Sequence, residues 1–226
     1  MKRPLPSEWS GWLEQHVPFY PDLTGEVRER FLRYLRAFVW DKHFFGAGGL
    51  EITDEHRVVI AGAAVRLVLN LDLSFYDKLT EIIVYPDDYR HPDSDDVVLG
   101  EAQHWGTVVL SWSAVLHGMA DRKDGHDTAL HEFAHVLDVA DGAFDGTPEL
   151  HRFGDYRTWA RVMSDAFLKL QDDVPRRKTV LREYGATNEA EFFAVASETF
   201  FEKPRQLRQN APELYDELCR FYRVEP

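Results

Sequence analysis

Apolar positions recur at helical spacing over several stretches of this chain and alternate with polar ones over two others, which predicts an α+β fold. Thr24 reads as the N-cap of a helix running to about Phe44, with Val27, Phe31, Leu35 and Phe38 along one face. The Gly46-Ala47-Gly48-Gly49 run breaks it, and Thr53 caps a second helix to about Leu69. Thr80 to Tyr85 and Thr107 to Trp112 are rich in β-branched and aromatic residues and read as strands. Further helices are expected from Asp155 to about Gln171, from Asn188 to Glu202 with Pro204 as the stop, and from Pro212 to Tyr222. The Pro- and Trp-containing segment before Thr24 reads as an arm, and Asp172 to Lys178 as a polar linker inside one domain. Residues 1–226 are expected to form that single domain, with 1–75 a mainly helical scaffold and 76–226 carrying the sheet and the chemistry.

The most informative pattern lies between Ala129 and Ala140, where only His131, Glu132, His135 and Asp138 interrupt an apolar run. At the helical repeat, His131, His135 and Asp138 fall within a stripe of roughly 60°. Such a run predicts a buried helix with one narrow polar seam, started by Asp124 or Asp127 and closed by Gly142. Unpaired polar groups in that setting cost about 1–3 kcal/mol each, so the seam should face a metal or a cleft. His131-Glu132-Phe133-Ala134-His135 has the His-Glu-x-x-His form: two imidazoles one helical turn apart can bind one Zn²⁺, and Glu132 is placed to take a proton from a water held there. Expected therefore are one zinc per chain and hydrolysis of a peptide or amide bond.

Bulk properties narrow the alternatives. With 26 Lys and Arg against 39 Asp and Glu the formal charge is −13, and no basic run offsets it, so nucleic acid is not an expected partner. A 44% hydrophobic and 29% charged composition is that of a globular protein rather than a disordered one. No segment approaches the roughly 20 apolar residues of a membrane span, and the start of the chain has no run of signal length. Together with the single cysteine, Cys219, this leads us to expect a cytoplasmic protein without membrane contact. The acidic stretch from Pro86 to Gly100, with Asp87, Asp88, Asp93, Asp95 and Asp96, reads as a solvated loop lacking the glycine and spacing of a calcium loop. The strand ending near Trp112 is placed to pair with an extended peptide. His104, His117 and His126 flank it and read as surface residues with substrate contact as the alternative, while His43 and His56 read as surface or packing residues.

A catalytic zinc takes three protein ligands and leaves a position for water, so the chain must supply one more. Glu191, Glu198 and Glu202 lie within roughly 40° on one side of the helix from Asn188, opposite Phe192, Phe193, Ala196 and Phe200. Asn188-x-x-Glu191 is also the spacing of a capping box, so the residues alone leave Glu191 as either a ligand or a cap. Glu198 and Glu202 read either as part of the site or as a solvated face.

His131 to His135, followed by Leu137-Asp138 and Asp141-Gly142, resembles the Mlc titration factor A family of zinc-dependent peptidases, bacterial cytosolic proteins, over Val108 to the C-terminus and weakly upstream. Tyr184 to Ala194 and Gln209-Asn210-Ala211-Pro212 also resemble the metalloprotease domain of anthrax lethal factor. The resemblance implies a zincin-like fold with Glu191 as third zinc ligand and Tyr184, seven residues earlier, pointing into the active site to donate a hydrogen bond to the oxyanion. It also implies an aminopeptidase rather than an endopeptidase, and a transcriptional repressor of sugar uptake as partner. Val195 stands where the lethal-factor pattern has an acidic residue, which leaves Asp138, Asp141 and Glu198 as candidates to support the ligands. Two rival readings remain: a regulatory protein-binding module whose zinc site is not its main activity, and a structural zinc site, which would need a fourth protein ligand.

Overall fold

Helix α1, Ser7–His16, occupies the segment expected to be an arm, and it folds there because Trp9 and Leu13, one turn apart, are both buried. The computed structural model describes residues 6–90, 97–98, 100–103, 106–120, 124–176 and 179–226. Its elements fall into two compact units, Met1–Asp121 with Asp127–Ala129 and Arg122–His126 with Leu130–Pro226.

In the first unit, α2 (Gly25–Asp41) buries Phe31, Leu35 and Phe38 as the spacing predicts, whereas Val27 is exposed in its first turn. The helix stops short of the expected Phe44, and His43–Gly46 forms strand β1, whose backbone pairs in parallel with β2, Glu81–Tyr85. The two phenylalanines looked like a helical continuation, but only Phe44 is buried and Phe45 faces out, the alternation of an edge strand. Between them the chain crosses over through α3 (Asp54–Val68), as a parallel pair requires. This helix begins with a reciprocal cap in which Thr53 N–H donates to His56 Nδ1 at 3.1 Å, so His56 is a capping residue, buried against Trp112, while His43 is exposed. Small residues let α3 approach its neighbours: a Cβ on Gly62 would sit 2.9 Å from Val17.

The sheet runs β1-β2-β6-β5, with β6 (Thr107–Ser111) parallel to β2 and β5 (Gly100–Gln103) antiparallel to β6. Ile82 and Val84 of β2 lie beside Val108 and Leu110 in register and are all fully buried. Trp112 leaves the sheet and opens α4, Trp112–Ala120, a helix absent from the sequence reading. Within the expected acidic loop, β3 (Tyr89–Arg90) pairs antiparallel with β4 (Val97–Val98), and Asp88 accepts from Ser111 Oγ at 3.1 Å. Asp93, Asp95, Asp96, His104 and the Arg177-Lys178 end of the linker lie outside the described residues.

The second unit is helical. Helices α5 (Thr128–Asp138), α6 (Tyr156–Asp173), α7 (Glu189–Glu202) and α9 (Pro212–Tyr222) are close to the expected ranges, whereas Pro204, expected only as a stop, also starts α8 (Pro204–Asn210), a helix absent from the sequence reading. Trp159, Phe193 and Phe221 meet edge to face with centroids 5.4–6.0 Å apart, and buried Tyr222 donates to Ser197 Oγ at 2.7 Å. The linker residues Val174–Arg176 form a single 3₁₀ turn, and Cys219 is half-buried on α9. The α+β class read from the sequence is the one observed. No helix among the described residues is long and apolar enough to cross a membrane.

Candidate metal centre

Helix α5 delivers the expected polar seam. Leu130, Phe133, Ala134 and Leu137 are fully buried, and His131, Glu132, His135 and Asp138 are buried with them. Asp127 precedes the first helical residue, while Asp124 accepts from His126 N–H upstream of the helix. A short 3₁₀ turn, Val139–Asp141, ends in Gly142 at φ 102°, the left-handed conformation that glycine adopts without strain.

At the start of α7, Asn188 Oδ1 accepts the backbone N–H of Glu191 at 2.9 Å. The reciprocal half of the capping box is not made, because the Glu191 carboxylate turns toward the histidines. Its Oε2 lies 2.9 Å from His131 Nε2 and 3.3 Å from His135 Nε2, and the two Nε2 atoms are 3.1 Å apart. Cap and carboxylate are thus separate functions of one position: the backbone of residue 191 starts the helix and its side chain completes a triangle of donors. Tetrahedral zinc with bonds of about 2.0–2.1 Å sets its ligand atoms about 3.3 Å from one another, so the triangle has the size and donor chemistry for such an ion. Among the described residues, His131, His135 and Glu191 are the cluster that could hold a metal.

Behind the triangle, His131 Nδ1–H donates to Glu198 Oε1 at 2.6 Å, and Arg182 Nη2 donates to the same oxygen at 2.5 Å. Glu198 is fully buried, so the solvated-face alternative fails for it, and Glu202 is buried as well. Asp138 Oδ2 accepts from Gly146 N–H at 3.0 Å. The Asp145 to Pro148 turn forms as expected, with Asp145 accepting from Thr147 N–H at 3.1 Å. Val195 packs against Gly185, where an added Cβ would be 3.1 Å away, and so supports the turn that carries Tyr184. The side chain of Asp141 lies outside the described residues.

Electrostatics follow from this crowding. In the metal-free protein burial works against a charge on His131, but hydrogen bonds to Glu191 and Glu198 outweigh it and raise the pKa to about 10. Burial and the neighbouring His131 charge hold His135 below its usual range, and the two imidazoles hold the Glu191 carboxyl far below its own despite burial. Burial raises Asp138 to about 6, against the hydrogen bond from Gly146. Tyr184 is half-exposed, its ring 5.9 Å from that of His131; burial and the charges of Glu191 and Glu132 push its phenol up to about 12, so the hydroxyl keeps its proton to donate.

Sequence reasoning missed several contributors. Arg182 stands in no motif. Phe144, partly exposed, packs its ring 5.0 Å from His135, on a loop in which only the Asp145 to Pro148 turn is expected. His126 is half-buried rather than superficial, its pKa lowered by burial and by the Arg182 charge, whereas His117 is exposed.

The glucose-regulated metallo-peptidase M90 family model matches residues 1–223, further upstream than the resemblance read from the motifs. An uncharacterized protein of Synechocystis sp., slr2042, is 37% identical over the whole of this chain and 86% of its own length. Mlc titration factor A of Klebsiella pneumoniae is 28% identical over 93% of this chain and 84% of its own, and that of Yersinia pestis 26% over 93% and 83%.

Proposed function

The chain belongs to the glucose-regulated metallo-peptidase M90 family, and from that premise we propose that it is a zinc-dependent peptidase, aminopeptidase-like, working as one domain over residues 1–226 in the cytoplasm. The observation that carries this reading is the convergence of His131 Nε2, His135 Nε2 and Glu191 Oε2 within 3.3 Å of one another, beside Glu132. These three side chains would hold one zinc ion per chain. Bound there, zinc supplies the Lewis acidity that brings the pKa of water toward about 7 and polarises a carbonyl. Glu132 accepts the proton of the attacking water and returns it to the leaving amine. Tyr184 donates its hydroxyl hydrogen bond to the oxyanion as it develops. Glu198, clamped by Arg182, keeps the His131 ring in the orientation that presents Nε2.

The test is zinc content measured together with hydrolysis of aminoacyl and internally quenched peptides. Expected are one zinc per chain and cleavage of the aminoacyl substrates, abolished by chelation and restored by zinc. Cleavage of the quenched peptides alone would make the enzyme an endopeptidase. Folded protein without zinc, and without hydrolysis when zinc is added, would overturn the reading.

A second reading has a specific support in the relatives named Mlc titration factor A. It is that this chain also binds a transcriptional repressor. Such binding needs no general base, so a Glu132→Gln protein is expected to retain a repressor partner while losing turnover, which would separate the two activities.

A further inference from the structure

The two imidazoles of the site are supported unequally. His131 Nδ1 is held by Glu198 at 2.6 Å, but among the described residues nothing pairs with the buried Nδ1 of His135. Three residues further along the same helix, Oδ1 of Asp138 is also buried and also without a partner there. Positions i and i+3 share a helix face, and the two orphaned atoms are complementary, a ring nitrogen that can carry a hydrogen and a carboxylate oxygen that only accepts.

We infer that Asp138 is the positioning residue of His135: the two atoms do not meet hydrogen-bond geometry here, and when Nε2 takes zinc Oδ1 accepts Nδ1–H, which holds the ring in the tautomer whose Nε2 lone pair is on the metal. The inference rests on the zinc reading of His131, His135 and Glu191. It gives each histidine its own carboxylate, Glu198 for one and Asp138 for the other. The second oxygen of Asp138 reaches further, since it accepts from Gly146 N–H at 3.0 Å. Gly146 has φ 77°, and a Cβ there would fall 2.3 Å from the carbonyl oxygen of Glu189 at the start of α7. Asp138 therefore ties the histidine helix to the turn that abuts the first turn of the Glu191 helix, so both kinds of donor are registered through one carboxylate.

The variant that tests this is Asp138→Asn. Its one amide oxygen is taken by Gly146 N–H, which leaves the NH₂ facing His135. An amide NH₂ only donates, so Nδ1 must accept and the ring proton moves to Nε2, the wrong tautomer for a ligand. Zinc affinity, read by competition with a chromophoric chelator, should fall about 10–100-fold. In the unmutated zinc-loaded protein, where ligation through Nε2 by itself sets the Nδ1–H tautomer, the His135 Nδ1–H should exchange slowly and resonate far downfield as a proton held by a carboxylate does, a readout that a merely structural role for Asp138 would not produce and that needs no variant to fold. Unchanged affinity in Asp138→Asn, or a freely exchanging His135 Nδ1–H in the unmutated protein, overturns the inference. Failure of the unmutated protein to bind zinc overturns the underlying site reading, a result distinguishable because it is measured first.

Discussion

Replacing Glu191 by Gln separates the two roles that meet at this position. The helix start should survive, because Asn188 accepts the backbone N–H of residue 191 and the side chain takes no part in that bond. In the metal-free protein the amide oxygen can still accept from His131 Nε2–H, so the loss is the difference between a charge-assisted and a neutral hydrogen bond, about 1–1.5 kcal/mol. For a chain of this size that lowers the melting temperature by about 2–6 °C, well within what a stable domain tolerates. The metal side is far more sensitive. Four-ligand zinc sites bind with about 10–16 kcal/mol, or about 2.5–4 kcal/mol per ligand, so removing the one charged donor of a three-ligand site should weaken binding by about 10²–10³-fold. Chelator competition measures this directly, and thermal unfolding of metal-free protein gives the stability term. Asn188→Ala should show the mirror image, losing about 1 kcal/mol of stability and keeping its zinc. A Glu191→Gln protein that binds zinc as tightly as the parent would refute the argument and return Glu191 to its cap.

Other consequences follow from the same geometry. Tyr184→Phe should keep its zinc and its KM and lose about 10²-fold in kcat, since it removes one donor to the oxyanion; a loss confined to KM would place Tyr184 in substrate binding instead. In the metal-free protein the His131 pKa is raised from 6.5 to about 10 by its carboxylate neighbours, so its proton contributes stability that is complete below about 6.5 and is lost as pH rises through about 10. Zinc needs the same Nε2, so binding near pH 8 should release about one proton from His131 and up to one more from a bound water whose pKa falls toward about 7, and should tighten as pH rises toward 10; calorimetry in buffers of different ionisation enthalpy reads the protons, and zero release would contradict the assignment.

The seam on α5 was legible because burial there is nearly complete, so each polar residue in the run had to have a partner. Glu191 was ambiguous for a physical reason: N3 of a capped helix and a ligand position coincide, and only the direction of the side chain distinguishes them. Glu198 shares its stripe with Glu191 and Glu202, and nothing in a periodicity says that the stripe faces buried imidazoles rather than water. Arg182 could not have been found at all, since it reaches Glu198 from an irregular segment with no repeat to read. The same limit explains α1, whose single buried pair, Trp9 and Leu13, is too little signal against the neighbouring prolines, and β1, where Phe44 and Phe45 read equally well as the next turn of α2.

The most direct test of the account is zinc content and turnover measured side by side in Glu132→Gln. Gln has the size and reach of Glu but cannot take a proton, and Glu132 is not part of the donor triangle. The account predicts about one zinc per chain, as in the parent, with turnover reduced by at least about 10²-fold. Turnover equal to that of the parent, with the zinc retained, would contradict it.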